Sequence, residues 1–111
     1  MNFQEEGQTP SSQQIDALTA KQMMSNEEIT IVDIRDEQSF ASSHIEGAVS
    51  LTQQNVEGFL QSADKNRPVI CYCYHGFSSQ NVAEYFASCG IKKVYSLIGG
   101  FEAWQMAGDS K

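Results

Sequence analysis

The sequence predicts an α/β protein: a central parallel sheet of five strands with helices on both faces. Three observations carry that expectation. The runs "ITIVDI" (29–34), "VICYC" (69–73) and "KVYSLI" (93–98) are short, β-branched and apolar at almost every position, as strands covered on both faces are. The stretches between them place their apolar residues at helical spacing. Strand and helix patterns then alternate along the chain, which favours parallel pairing with crossover helices.

Taken in order, residues 1–13 are polar, rich in Gln, Ser and Glu, and read as a flexible tail ahead of one domain over 14–108. "QIDA" (14–17) reads as a short edge strand. Thr19 with Gln22 has the capping-box spacing and opens a helix that ends near Asn26. After "ITIVDI", Asp36 caps a short helix around Phe40, Gly47 marks a turn, and "AVSL" (48–51) is a further short strand. Thr52 caps "QQNVEGFLQSA" (53–63), where Val56, Phe59 and Leu60 share a face. Pro68 restarts the chain before "VICYC". Val82, Phe86 and Cys89 then fall at i, i+4 and i+7 with Ala83 beside them, and Gly90 stands at the helix C′ position. "KVYSLI" is the last strand, and a final short helix after Gly99 and Gly100 carries Phe101 and Trp104 as core or rim anchors.

Composition narrows the function. A chain of 111 residues reads as one domain able to bury roughly 65% of its unfolded surface without staples. Seven basic against fourteen acidic residues give a formal charge of -7, which argues against nucleic acid or an anionic membrane as partner. No apolar run approaches the roughly 20 residues that span a bilayer, and "MNFQEEGQTPSSQQ" has no signal-peptide pattern. Three cysteines, an odd number, fit a reducing cytoplasm better than a disulfide framework.

The candidate site is the loop Cys73, Tyr74, His75, Gly76, Phe77, Ser78 and Ser79. It follows a buried strand and leads into a helix, and ligands of parallel α/β sheets bind beyond the carboxyl ends of the strands. Gly76 lets the backbone bend so that successive amides form a nest, and the helix N-terminus adds a positive end. A thiolate at Cys73 is stabilised there, and thiols so placed can titrate several units below the free value of about 8.5. It supplies the local attraction for an anion that the acidic chain as a whole lacks. Cys71 and Cys89 read as core residues, His44 as the source of a structural hydrogen bond, and His75 as a loop residue near the thiolate rather than a general base. Asp33 and Arg35, which also end a strand, read as a pair fixing neighbouring loops, with a supporting part in the site. Zinc needs four ligands, and Cys71, Cys73 and His75 have no second pair to complete a set.

"CYHGFSS" resembles the active-site loop of the rhodanese family, and "VDIR" (32–35), "SHIEGA" (43–48) and "GGFEAW" (99–104) resemble its other motifs in the right order. The similarity covers roughly residues 14 to 106 and is greatest to single-domain bacterial thiosulfate sulfurtransferases. The resemblance implies that a Cys73 thiolate attacks the sulfane sulfur of thiosulfate, expels sulfite and becomes a persulfide. A thiophilic acceptor then takes the sulfur: cyanide in an assay, or a dithiol such as a thioredoxin-like protein in a cell. Amides of residues 74–79 and the hydroxyls of Ser78 and Ser79 would hold the charge, with no metal or organic cofactor.

The chain departs from the family pattern in two places. Ser43 replaces the usual glycine before His44, a change not expected to affect the chemistry. Many rhodanese loops carry Arg or Lys where this one has Phe77, Ser78 and Ser79. Backbone amides and a helix end are worth only about 0.3–1 kcal/mol each near a surface, so weak affinity for thiosulfate is expected. Phe77 at the mouth would suit a protein partner, which keeps a sulfur-relay carrier as the alternative. A phosphatase or arsenate reductase would want an Arg six positions after the cysteine, where Ser79 stands. Phe77→Arg is expected to lower the KM for thiosulfate in a steady-state cyanide assay. An unchanged saturation curve would contradict the missing-charge argument.

Overall fold

The computed structural model describes residues 12–76 and 78–109. Residues 1–11 of the expected tail, and Phe77 of the loop, lie outside the described residues. The elements are β1 (Gln13–Ile15), α1 (Ala17–Asn26), β2 (Thr30–Asp33), α2 (Glu37–Ser42), β3 (Val49–Ser50), α3 (Val56–Ser62), β4 (Val69–Tyr72), α4 (Ser78–Ser88), β5 (Val94–Leu97) and α5 (Gly100–Asp109). All neighbouring strands pair in parallel, in the order β1-β5-β4-β2-β3. The expected five-stranded parallel sheet is therefore the observed one.

Alternation along the central strands separates two cores. Val32, Val69, Cys71 and Val94 face α3 and α4, packing with Leu60, Ala83, Phe86 and Ile91. Ile31, Ile70, Tyr72 and Leu97 face the other way, toward Ala17 and Ala20 of α1 and Phe101 of α5. Because both faces are covered, β4 is buried at all four positions, and its sequence had to read as an unbroken apolar run. From β2 the chain moves outward to β3, whereas from β4 it moves the opposite way to β5. The direction reverses between β2 and β4, and a crevice opens at such a switch point beyond the strand ends. Asp33 ends β2 there, and Cys73 directly follows β4.

Two helix starts differ from the expectation. Asp16, not Thr19, caps α1, its carboxylate accepting the Thr19 amide at 2.8 Å. An Asp directly after an edge strand is the better cap, since the strand already holds it extended. Thr52 does not open α3 directly. It makes a preceding turn in which its amide donates to the Asn55 side chain (2.8 Å) and its hydroxyl accepts the amides of Gln54 and Asn55, so α3 begins only at Val56. Asp36 caps α2 as expected, accepting the Ser39 amide. At the end of α4 the Gly90 amide bonds Ala87 O and the Ile91 amide bonds Phe86 O, the paired closure expected of a C′ glycine.

Phe86 is fully buried and stacks on Phe59 at 5.6 Å between centroids, joining α3 and α4 over the sheet. Phe86→Ala is expected to cost about 3–5 kcal/mol of stability, because this well-packed site cannot collapse around the void. The urea midpoint measures it, and a loss below about 1 kcal/mol would show that α3 and α4 close the gap.

Candidate active site

Cys73 is buried at 5% exposure, and its Sγ lies where several donors converge. The Gly76 amide approaches at 3.1 Å and the Ser79 amide at 3.4 Å, with Ser79 Oγ at 3.5 Å. Burial alone would push this thiol up. The Ser79 hydroxyl and the amides of Ser79, Gly76 and His75 outweigh it, and the net shift is downward from the ordinary thiol value. The site therefore holds the thiolate more readily than water does, although it is largely closed to water.

Two carbonyls at the start of the loop are held away from the sulfur, and the second shares its peptide with the inward His75 amide. The first free amides of α5 take them: Phe101 N donates to Cys73 O at 2.8 Å and Glu102 N to Tyr74 O at 3.4 Å. This contact requires that α5 start with no side chain, since a Cβ on Gly100 would stand 2.5 Å from Cys73 O and from Tyr74 C and O. Gly76 is fixed as firmly, with φ +96° and only 2.8 Å between its ideal Cβ position and Gly99 N. The loop thus packs between the end of β5 and the start of α5.

Two residues at the site escaped sequence reasoning. Ser96, in β5, is 1% exposed and its Oγ lies 2.7 Å from that of Ser79, itself wholly buried. Gln80 reaches back from α4 and donates its side-chain amide to Gly76 O at 2.8 Å. A lone Ser inside "KVYSLI" was the one available signal for the first.

Residues 16–107 match the family described as Rhodanese-like domain. The chain belongs to that family. It is 45% identical over 92 residues to the thiosulfate sulfurtransferase GlpE of Coxiella burnetii, covering 83% of this chain and 86% of that one. To the thiosulfate sulfurtransferase GlpE of Shewanella oneidensis it is 49% identical over 86 residues, covering 78% and 85%. The crystal structure of a rhodanese-like domain protein from Staphylococcus aureus superposes with a TM-score of 0.73 at 27% identity, covering 83% of this chain and 90% of that one. The α/β fold expected from the sequence is thus the rhodanese fold.

Within this rhodanese framework the other candidate residues separate into groups. Ser78 is exposed and lines a groove of about 860 Å³ beside the loop, floored by Leu51, Val56, Val82 and Phe86; unlike Ser79, it is not among the groups bonded to the sulfur. The Tyr74 side chain leaves the site, donating its hydroxyl to the Asp36 carboxylate with Ser39 Oγ 2.6 Å away. His75 contributes its amide to the sulfur, while its exposed ring pairs with Glu102 at 3.5 Å. Arg35 forks onto Asp33 at 2.8 Å and donates to Ser43 O at 2.5 Å, and the Tyr72 hydroxyl donates to Asp33 at 2.7 Å while accepting the Ile45 amide at 3.1 Å. That arrangement ties the chain before β3 to the strand ends, which fits a structural pair.

Cys71 lies inside the sheet core, where burial pushes its thiol far up, and Cys89 is half-buried against the same core. His44 bonds Phe40 O through Nδ1 at 2.7 Å and stacks on the Phe40 ring. Among the described residues, no three His, Cys, Asp or Glu side chains come together as a metal set.

Asp36 links the loop to α2, and its carboxyl is pulled down to about 2, first by the Tyr74 hydroxyl and then by the Ser39 hydroxyl and amide. A carboxyl depressed in the fold stabilises it above its ordinary value near 3.8, and that contribution disappears as pH falls to about 2. Tyr74→Phe is expected to raise the Asp36 midpoint toward 3.8, followed by carbon NMR of its carboxyl. A midpoint that stays near 2 would mean that the link to the loop does not hold this charge.

Proposed function

We propose that this chain is a thiosulfate sulfurtransferase whose sulfur carrier is Cys73. The observation that carries the assignment is the convergence of the Gly76 amide, the Ser79 amide and the Ser79 hydroxyl on one buried sulfur. Identity of 45% and 49% to proteins named thiosulfate sulfurtransferase supports the choice of donor.

The Cys73 thiolate attacks the outer sulfur of thiosulfate. A sulfur–sulfur bond forms to Cys73, the one within thiosulfate breaks, and sulfite leaves with the electron pair. The persulfide's negative outer sulfur extends beyond Sγ, and the loop's inward amides supply donors that strengthen as charge gathers there. In the second half-reaction a nucleophile attacks that outer sulfur and returns Cys73 as thiolate. Cyanide leaves as thiocyanate, and a thiolate leaves as a persulfide. Because one product departs before the acceptor binds, the kinetics are ping-pong.

For the cellular acceptor we favour a protein dithiol of the thioredoxin-like kind, in the cytoplasm. The apolar groove beside Ser78 offers more surface than thiosulfate can fill, and all three cysteines are free thiols. A phosphatase reading is disfavoured by Ser79, which stands where a forked Arg is needed and is turned inward onto Ser96.

The intact mass of the wild type and of Cys73→Ser after thiosulfate treatment, then again after cyanide, tests the reading. One added sulfur on the wild type alone, removed by cyanide, is the expected result. Loading of Cys73→Ser to the same extent would place the carrier elsewhere, and loading of neither protein would reject thiosulfate as the donor.

A further inference from the structure

On the α4 face of the sheet, β2, β4 and β5 present Val32, Val69, Cys71 and Val94 to the core. Ser96 interrupts that surface. It pairs in register with Cys71 of β4, is 1% exposed, and its hydroxyl is 2.7 Å from that of Ser79. A buried hydroxyl among aliphatic neighbours is destabilising unless it is hydrogen-bonded, and a Val here would suit the strand better. The bond to Ser79 compensates, and Ser79 is the residue whose hydroxyl stands 3.5 Å from Cys73 Sγ.

The three groups form one line: Cys73 Sγ, Ser79 Oγ, Ser96 Oγ. In the thiol form, Cys73 S–H donates to Ser79 Oγ, and the Ser79 O–H donates to Ser96 Oγ. When Cys73 releases its proton to solvent, both hydroxyls rotate. The Ser96 O–H then donates to Ser79 Oγ, and the Ser79 O–H donates to the thiolate. Neither state needs a heavy atom to move. Without Ser96, Ser79 would lose the partner that accepts from it in one state and polarises it in the other.

We propose that Ser96 is a positioning residue for sulfur transfer, acting through Ser79 to let one hydroxyl serve both the thiol and the thiolate of Cys73. This rests on Cys73 being the sulfur carrier. The ionisable side chains on the surrounding elements are Cys71 and Tyr72 on β4, Tyr74 and His75 in the loop, Glu84 and Tyr85 on α4, Tyr95 on β5, Glu102 on α5, and the Asp33–Arg35 pair at the end of β2. None of them is among the groups hydrogen-bonded to Sγ, so the Ser79 hydroxyl and its partner are the side-chain means of adjusting the thiolate.

The test is the pH dependence of Cys73 alkylation by iodoacetamide in the wild type and in Ser96→Ala, followed by mass so that Cys71 and Cys89 are scored separately. Ser96→Cys serves as a second hydroxyl-free variant of nearly the same size, and Ser96→Thr keeps the hydroxyl. The alkylation midpoint is expected to rise by about a few tenths of a unit in Ser96→Ala and Ser96→Cys, because the Ser79–Ser96 bond is present in both states and only its strengthening of the Ser79 O–H bond to the thiolate is lost. Ser96→Thr should hold the wild-type midpoint. In a Ser79→Ala background, Ser96→Ala should add nothing, because its route to the sulfur is gone. A wild-type midpoint in Ser96→Ala, or the same rise in both backgrounds, would overturn the proposal. Alkylation reads the thiolate without any sulfur donor, so a failure of thiosulfate loading and a failure of this relay give different results.

Discussion

A buried sulfur whose surroundings favour its anionic form has to find its counter-dipoles in the groups around it, and here that means fixing which way peptides of the loop face. The fixing is done from outside the loop. The opening amides of α5 take the carbonyls of Cys73 and Tyr74, the second of which shares its peptide with the inward His75 amide, and Gln80 takes the carbonyl of Gly76, whose own amide bonds the sulfur. Burial disfavours a thiolate and the donors favour it. The donors win because there are several of them and they are already oriented, so no reorganisation is needed as the charge appears. Gly76 and Gly100 follow from this arrangement. A side chain on Gly100 would push the helix amides away from the carbonyls they hold.

The sheet supplies the rigidity that such a loop lacks. β4 is covered on both faces, so Cys73 leaves a strand that cannot shift without disturbing two cores. Beside it, Asp33, Arg35 and Tyr72 knit the end of β2 to the segment leading into β3, and the Phe101 ring lies 4.3 Å from the Arg35 guanidinium. A buried ion pair by itself says little about stability. In this one the carboxylate also accepts from the Tyr72 hydroxyl and the Arg35 amide, and the guanidinium reaches Ser43 O, so the charges have partners beyond each other. The start of α5 thus touches both pillars of the site: Phe101 packs on the arginine with its ring and holds the Cys73 carbonyl with its amide.

Much of this was legible in the sequence because it is written in local patterns. Short runs that are mostly apolar and β-branched mark β2, β4 and β5, and Cys73 before Gly76 and a helix marks the site. What could not be read depends on contacts between distant segments. Thr19 and Asp16 both have cap chemistry, and only the position of β1 decides for Asp16. Ser78 and Ser79 are identical in type, but the phase of α4 turns one outward to the groove and the other to the sulfur. Ser96 lies 17 residues from Ser79 and meets it only because β5 is laid beside β4. The pairing of α5 amides with loop carbonyls is likewise invisible in local pattern, although "GGFEAW" supplies the residues that make it.

The acidic balance of the chain then finds its place. A net charge of -7 acts over distances at which salt screens it, about 8 Å at physiological ionic strength. The donors at Cys73 act within 3.1–3.5 Å, inside that range and out of water. Entry and holding are therefore governed by different charges. In the proposed cycle, Asp36 and Glu37 on the groove and Glu102 beside His75 would oppose an approaching dianion, whereas the amides would favour the single negative sulfur that remains after sulfite has gone. On that proposal the surface resists the donor and the loop stabilises the intermediate. Catalysis is served by that division, because interactions spent on the free donor would deepen the ground state, while those made to the persulfide lower the step that forms it.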